Sequence, residues 1–379
     1  MQPGREAAAN SVTGLASRER VRGFELAAGL SVLFMIAVHD LWHWGSPETW
    51  TTPIGTLISV LGGPTATPVF LFVMAASLAF SPGLTVGALV ARGAWLLVLG
   101  YVLNILRGVI PATLGMAAGL VTQQQIWPFT PWWLLTSVDL HHVTGLTLIA
   151  IAALRAVWRV DWRWLALAAA VALGEPLLHG LNVGVSLVDG LITPIVGGPP
   201  NAYYTVVPWL AYPLVGTVFG AILVRAADRP RLFGLAAGVG LGLMAVAGIL
   251  IIALHPAFDV ATYWAGPPEF TIGIVGIVLV WLAACDAVTR IPSVDRRLGL
   301  VYFWSDRVIP MYFVHWLVVG WGIGIVGFRD LPLPGILVAT PIAVVITTLG
   351  SRFAIGLEEL PHRLLGRAEL VPEPVIADS

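Results

Sequence analysis

The sequence predicts an all-α integral membrane protein, a polytopic bundle of about ten transmembrane helices. Three observations predict it. Of 379 residues, 58% are hydrophobic and only 11% are charged, against roughly a quarter charged in a soluble domain. Apolar windows of about 20 residues, the length that crosses a bilayer, recur along the whole chain. The arginines collect on one of the two sides that those windows define.

The windows run over 24–44, 60–80, 85–107, 139–158, 162–180, 206–226, 232–255, 269–289, 300–326 and 335–358. The first follows Arg18, Arg20 and Arg22 and ends in His39-Asp40-Leu41-Trp42-His43. It is too long for a signal-peptide core and lacks a small-residue cleavage site, so it reads as a retained span. The second opens on Gly62-Gly63-Pro64, which breaks a helix and is tolerated at membrane depth where the backbone faces protein or a cavity. A simple Pro-marked helix start reads equally well. The third begins near Arg92 and carries Asn104 and Arg107. The segment 110–121 is apolar but short, and reads as re-entrant or interfacial. The fourth begins at Asp139-Leu140-His141-His142, and the ninth contains Arg307. Residues 1–23 and 361–379 read as tails flanking one membrane domain, 24–360.

With both termini cytoplasmic, 17 of the 20 basic residues, all arginine, fall on the inner side and only Arg107 and Arg329 on the outer. The positive-inside rule therefore favours an even number of spans. In that frame seven of the eight histidines, all but His362, map to the outer half of the membrane. The net charge of −1 gives no support for a nucleic-acid partner. The single Cys285 excludes an intramolecular disulfide and a Cys-based metal site. The absence of lysine removes Schiff-base chemistry and the P-loop lysine.

His39 is the first candidate for chemistry. A polar side chain at membrane depth costs several kcal/mol unless it is paired, solvated or used, and imidazole is the side chain suited to move a proton near neutral pH. Its partner at i+4, His43, gives a string similar in form to H-E-x-x-H, but with Asp for Glu and no third ligand in view, so no metal is expected. His43 beside Trp42 and Trp44 reads more simply as an interfacial residue. Asp139, His141 and His142 form an outer cluster. The loop 108–138 holds Gln123, Gln124, Gln125, Trp127, Trp132 and Trp133, side chains suited to a sugar, although interfacial tryptophan is ordinary membrane anchoring. Arg92 is a topology determinant or a phosphate contact.

These segments, in order, resemble the membrane acyltransferases, namely the acyltransferase-3 family and the bacterial relatives of heparan-α-glucosaminide N-acetyltransferase. Those open with an acidic residue, two positions, Arg-Gly, and a His ten residues after the Gly; here Glu25, Gly29 and His39 keep the spacing, with Ala28 in place of Arg. The string Pro68 to Leu78 is similar to their Pro-x-Phe-x-Phe segment, Arg92 to Asn104 to their third span, and Asp139 to Leu146 to their Leu-His, Ile-Gly segment. Pro208-Trp209-Leu210-Ala211-Tyr212-Pro213-Leu214-Val215-Gly216 resembles Pro-Trp-Leu-x-Tyr-x-Leu-x-Gly of the glucosaminide branch, and Pro310-Met311-Tyr312-Phe313-Val314-His315 the Pro-x-Tyr-x-x-His of the other. The second His of the glucosaminide branch, three residues before a Trp, corresponds to Pro47 before Trp50.

The resemblance implies a membrane acyltransferase of plasma-membrane, bacterial inner-membrane type. It would take an acyl group, most simply acetyl, from cytoplasmic acyl-CoA (acetyl-CoA) to a hydroxyl or amine of an outward-facing glycan or lipid-linked sugar. His39 would be general base or transient acyl carrier, oriented by Asp40 or a polar neighbour. His315 and His142 are further catalytic candidates, and Arg92 would meet the CoA phosphates. A glycan or lipid transporter using the outer histidines, and a catalytically inactive relative, are the other readings; no internal repeat supports the transporter.

Overall fold

The computed structural model describes residues 21–81, 83–198, 202–254 and 266–354. Of the expected tails 1–23 and 361–379, residues 1–20 and 361–379 lie outside the described residues, as do His255 and His362, while Arg22 and Gly23 already belong to the first helix. Among the described residues the fold is all-α; two isolated bridges, Gly45 with Leu331 and Val138 with Ala202, tie loops together and no strand forms.

Nine described helices are long and apolar enough to cross a bilayer: α1 (Arg22–Trp44), α2 (Pro53–Phe80), α3 (Val86–Ala117), α4 (Leu140–Val157), α6 (Val206–Arg225), α7 (Arg229–Leu254), α8 (Pro268–Thr289), α9 (Val308–Val326) and α10 (Leu333–Phe353). Between α4 and α6 runs α5 (Trp162–Leu178), whose 17 residues reach about 26 Å and sit at the short limit of a span. The polypeptide is a multi-pass membrane protein with the segments the hydropathy windows outline.

Helix starts are set by short polar caps. Thr52, Thr85 and Asp161 accept hydrogen bonds from the backbone N–H groups of Gly55, Ala88 and Arg163, satisfying donors that the first turn leaves open. Asp139 caps α4 in a reciprocal box with His142. In lipid such local satisfaction matters more, because no water reaches an orphaned group.

Helix α1 occupies the centre. It packs against α2, α8, α9, α10 and the short helix Gly299–Ser305. Its apolar residues run all round the helix, which is the pattern of a buried helix. By contrast α7 and α10 leave Ile249, Ile252, Val338 and Val345 exposed, the side chains of a lipid-facing surface. Close approach at the centre requires Gly29. A Cβ there would lie 2.2 Å from the carbonyl oxygen of Val301, so the glycine of the acidic-to-His spacing is a packing residue. Gly29→Ala is expected to cost about 1–3 kcal/mol by overpacking, read as a lowered unfolding temperature of the purified protein; an unchanged temperature would contradict this contact.

Three segments differ from the sequence expectation. The apolar stretch 110–121 is not a separate element up to Ala117: α3 continues through a π turn, Ile105–Val109, into Ile110–Ala117. Pro111 falls in the first turn after that shift, where its missing N–H is least costly. The ninth window, 300–326, is broken at Asp306 and Arg307 into Gly299–Ser305 and α9. Arg307 thus lies outside the spanning helix, its guanidinium 4.2 Å over the Phe303 ring. Finally, α2 is interrupted over 63–66. Ser31 of α1 donates to the Thr65 carbonyl at 2.7 Å, and Gly62 abuts Val38, where a Cβ would lie 2.3 Å from the Val38 Cβ. The interruption is pinned to α1 by Ser31, about two helical turns before His39, and the Gly62 that precedes it abuts Val38, the residue next to His39.

Candidate active site

The end of the bundle where α1 finishes and α4 begins gathers the polar side chains. His39 on α1 is 7% exposed and His315 on α9 is fully buried. His39 Nδ1 lies 3.0 Å from His315 Nε2, with the rings nearly parallel at 18° and 5.2 Å between centroids. The other nitrogen of His315, Nδ1, is 3.3 Å from the Met311 carbonyl. A carbonyl oxygen only accepts, so Nδ1 of His315 carries the proton and Nε2 of the neutral ring is an acceptor. His39 Nδ1–H therefore donates to it, and His39 Nε2 is left with its lone pair. That nitrogen has no hydrogen-bond partner among the described residues.

His39 lines a narrow cleft with Met35, Val38, Trp42, Gly62, Gly63, Ala66, Thr67 and Tyr204. It has space for about one water molecule. Thr67 donates to the Tyr204 hydroxyl at 3.2 Å, and the Tyr204 ring stands edge-on to Trp209 at 4.8 Å. Burial pushes the Tyr204 phenol above its ordinary value, which keeps it a neutral hydroxyl. Trp209 in turn stands against Tyr212, so these two residues of the Pro208–Gly216 string brace the cleft from behind.

Behind the histidine pair is an ion pair. The Trp316 ring lies 4.2 Å from His39, and the Arg107 guanidinium lies 4.1 Å over Trp316. Arg107 comes from the π turn of α3. Its Nη2 is 2.7 Å from Asp139 Oδ2, paired by charge rather than by an aligned hydrogen bond, and 3.0 Å from Asn104 Oδ1. Asn104 donates to the carbonyls of Leu135 and Ser137 at 3.0 and 2.8 Å. Asp139 Oδ1 accepts from the Leu140 N–H at 2.6 Å and from the Tyr312 hydroxyl. Tyr312 stands edge-on to both His315, at 5.1 Å, and His141, at 4.7 Å. α3, α4 and α9 are thus joined through one buried charge pair directly behind the imidazoles.

The candidates named from sequence are distributed unevenly around this centre. His39 and His315 are in contact. Asp40 is fully buried but sits about 100° round the helix from His39. It lies near Thr340 of α10, with neither carboxyl oxygen hydrogen-bonded. The polar neighbour on the His39 imidazole is His315, not Asp40. His142 accepts from the Asp139 N–H at 3.1 Å and packs its ring on Gly100 and Tyr101; it caps α4 and does not reach His39. Arg92 is half-buried on α3, 15 residues before Arg107 and so about 22 Å away along the axis. His43 donates to the His39 carbonyl at 2.9 Å, and its ring centroid stands 6.2 Å from that of His39. Among the described residues no three His, Cys, Asp or Glu side chains converge on a metal position.

Sequence reasoning passed over Tyr312 and Trp316 as parts of the centre. Their signal was present: Tyr312, His315 and Trp316 share a helix face by their three- and four-residue spacing. Arg107 carried a sharper one, as one of only two arginines on the histidine side, in an apolar stretch where a charge needs a partner.

A family model described as heparan-alpha-glucosaminide N-acetyltransferase, catalytic, matches residues 20–255. The match takes in α1 to α7, with His39, Arg107, Asp139 and Tyr204, and ends before α9 with His315. No curated protein matches the chain.

Proposed function

The chain belongs to the heparan-alpha-glucosaminide N-acetyltransferase catalytic family, and from that premise we propose that it transfers an acyl group, acetyl in the first instance, from acyl-CoA. It is a membrane acyltransferase; the donor, the acceptor and their sides are the proposed part. The arginine-rich end of the bundle is read as cytoplasmic and the histidine end as outward. The acceptor is read as an amine or hydroxyl of a glycan or lipid-linked sugar at the outward end.

The observation that carries this reading is the unpartnered Nε2 of His39 in a cleft, with Nδ1 held by His315. As general base, Nε2 takes the proton of the acceptor N–H or O–H while the acceptor attacks the thioester carbonyl. The C–S bond then breaks, and the proton returns from the imidazolium to the departing thiolate. A route in which Nε2 itself holds the acyl group transiently uses the same nitrogen. Arg92, about 22 Å along α3 from Arg107, is read as a CoA phosphate contact; its separation from the cleft suits a donor whose long arm enters from the other end. His142 is read as a structural cap. Asp40 is read as a buried acid between α1 and α10.

The test is incubation of the purified chain with labelled acetyl-CoA and a panel of amino sugars and hydroxyl sugars, following CoA thiol release and labelled sugar together. Transfer is the expected result. Absence of thiol release across the panel would favour an inactive relative, a reading to which Ala28 and Pro47 at family Arg and His positions lend support. Sugar flux driven by a pH gradient without thioester consumption would favour a transporter.

His315 has its own expected result. His315→Phe removes the acceptor that fixes the His39 tautomer and is expected to lower kcat by roughly 100-fold with little change in KM. His315→Gln, whose amide oxygen can accept the same hydrogen bond, is expected to retain more activity. Equal activity in both variants would contradict the tautomer argument.

A further inference from the structure

The cleft that His39 lines is also lined by the start of a helix. The second segment of α2, Thr67–Ser77, begins at Ala66 with no side-chain cap and with Pro68 in its first turn. The Phe70 N–H bonds back to the Ala66 carbonyl, whereas the N–H groups of Thr67 and Val69 have no backbone acceptor. Such a helix start carries about half a positive elementary charge and donors aimed outward. It becomes an anion site when an anion forms in front of it.

A second observation says what forms there. His39, nine-tenths buried, lines the same cleft with an unpartnered Nε2. Thr67 is 7% exposed and joins the Tyr204 hydroxyl in the wall. A base and helix-start donors lining one small cleft are the two components an acyl carbonyl needs at the moment of attack. The wall is rigid, since Ser31 and Val38 of α1 pin the interruption that precedes it.

We propose that the start of Thr67–Ser77, with the Thr67 N–H and the Thr67–Tyr204 hydroxyl pair, is the oxyanion site of the acyl transfer. This rests on the acyltransferase reading above. When the acceptor atom bonds to the thioester carbon, the carbonyl π pair moves onto oxygen, and that oxygen lies at the helix start. His39 Nε2 holds the proton removed from the acceptor. On collapse the C=O bond re-forms, the C–S bond breaks, and the thiolate leaves as the thiol with that proton. Atoms, charge and electrons balance with acceptor and thioester alone.

The experiment uses the full-length protein in detergent with acetyl-CoA and glucosamine, comparing wild type, Tyr204→Phe, Thr67→Val and the double variant. Each single change is expected to lower kcat, and the double variant by roughly 100-fold, with KM for both substrates held within about twofold. Binding of S-ethyl-CoA, which has no carbonyl, should be unchanged. If kcat stays within twofold of an active wild type in all three variants, the oxyanion site is wrong while the acyltransferase reading stands. Parallel loss of kcat and S-ethyl-CoA affinity would show a structural role and equally overturn the proposal. A wild type that releases no thiol overturns the acyltransferase reading, and the oxyanion site with it.

Discussion

His39→Ala is expected to lower kcat for acyl transfer by about 10²–10⁴-fold, the range a positioned general base supplies, while the protein still inserts and folds. The separation of the two effects follows from the geometry. The imidazole is the only group in the cleft that combines a free lone pair with a fixed tautomer, so no neighbour among the lining residues replaces it. Alanine in an apolar helix is favourable for insertion. The structural loss is the hydrogen bond to His315 and the ring contact with Trp316, about 1 kcal/mol for the former. His39→Asn sharpens the test, because its amide nitrogen stands in the place of Nδ1 and can donate to His315 while leaving no base at the Nε2 position. It should be as inactive as His39→Ala and closer to wild type in unfolding temperature. Activity retained in either variant would sink the role assigned to His39.

The second large effect is on stability. Asp139→Asn removes the charge opposite Arg107, and an unpaired buried charge costs about 3–5 kcal/mol. Asp139 is 4% exposed, and the side chain of Arg107 is 13% exposed, so solvent screens the pair little. Asparagine can still accept from the Tyr312 hydroxyl and the Leu140 N–H, which isolates the charge term. Unfolding in detergent should therefore shift strongly for Asp139→Asn. The double variant Asp139→Asn with Arg107→Met should recover part of the loss, because it removes the stranded guanidinium. Independent, additive effects of the two substitutions would contradict a coupled pair. Because Trp316 lies between Arg107 and His39, the single variant should also lose activity.

Much of the fold was legible because the bilayer enforces it. Spans such as Arg22–Trp44 and Pro268–Thr289 announce themselves by twenty apolar residues bounded by arginine or proline. The interruptions were harder to see. Asp306 and Arg307 break the ninth window, but a sliding average over apolar neighbours hides two polar residues. The short apolar segment 110–121 read as a separate re-entrant or interfacial element, and it contains Pro111. The π turn before it absorbs the missing N–H, and such a turn has no sequence signature of its own. At the site, His39 was legible from its cost at membrane depth and from its distance to Gly29. Its partner was not: Asp40 is adjacent in sequence but points elsewhere, and His315 arrives from a helix 276 residues further on. Tyr204 stood out only as one polar residue of the outer segment 181–205, and its contact with Thr67 depends on the α2 interruption.

The central claim is that His39 serves an acyl transfer whose donor and acceptor approach from opposite ends of the bundle. The most direct measurement reconstitutes the protein in sealed vesicles with labelled acetyl-CoA on one face and a membrane-impermeant glucosaminide on the other. The predicted result is labelled glucosaminide in the compartment that never held CoA, free CoA thiol on the donor side, and neither with His39→Ala. Label appearing only when both substrates share a compartment, or at equal rate with His39→Ala, would contradict it.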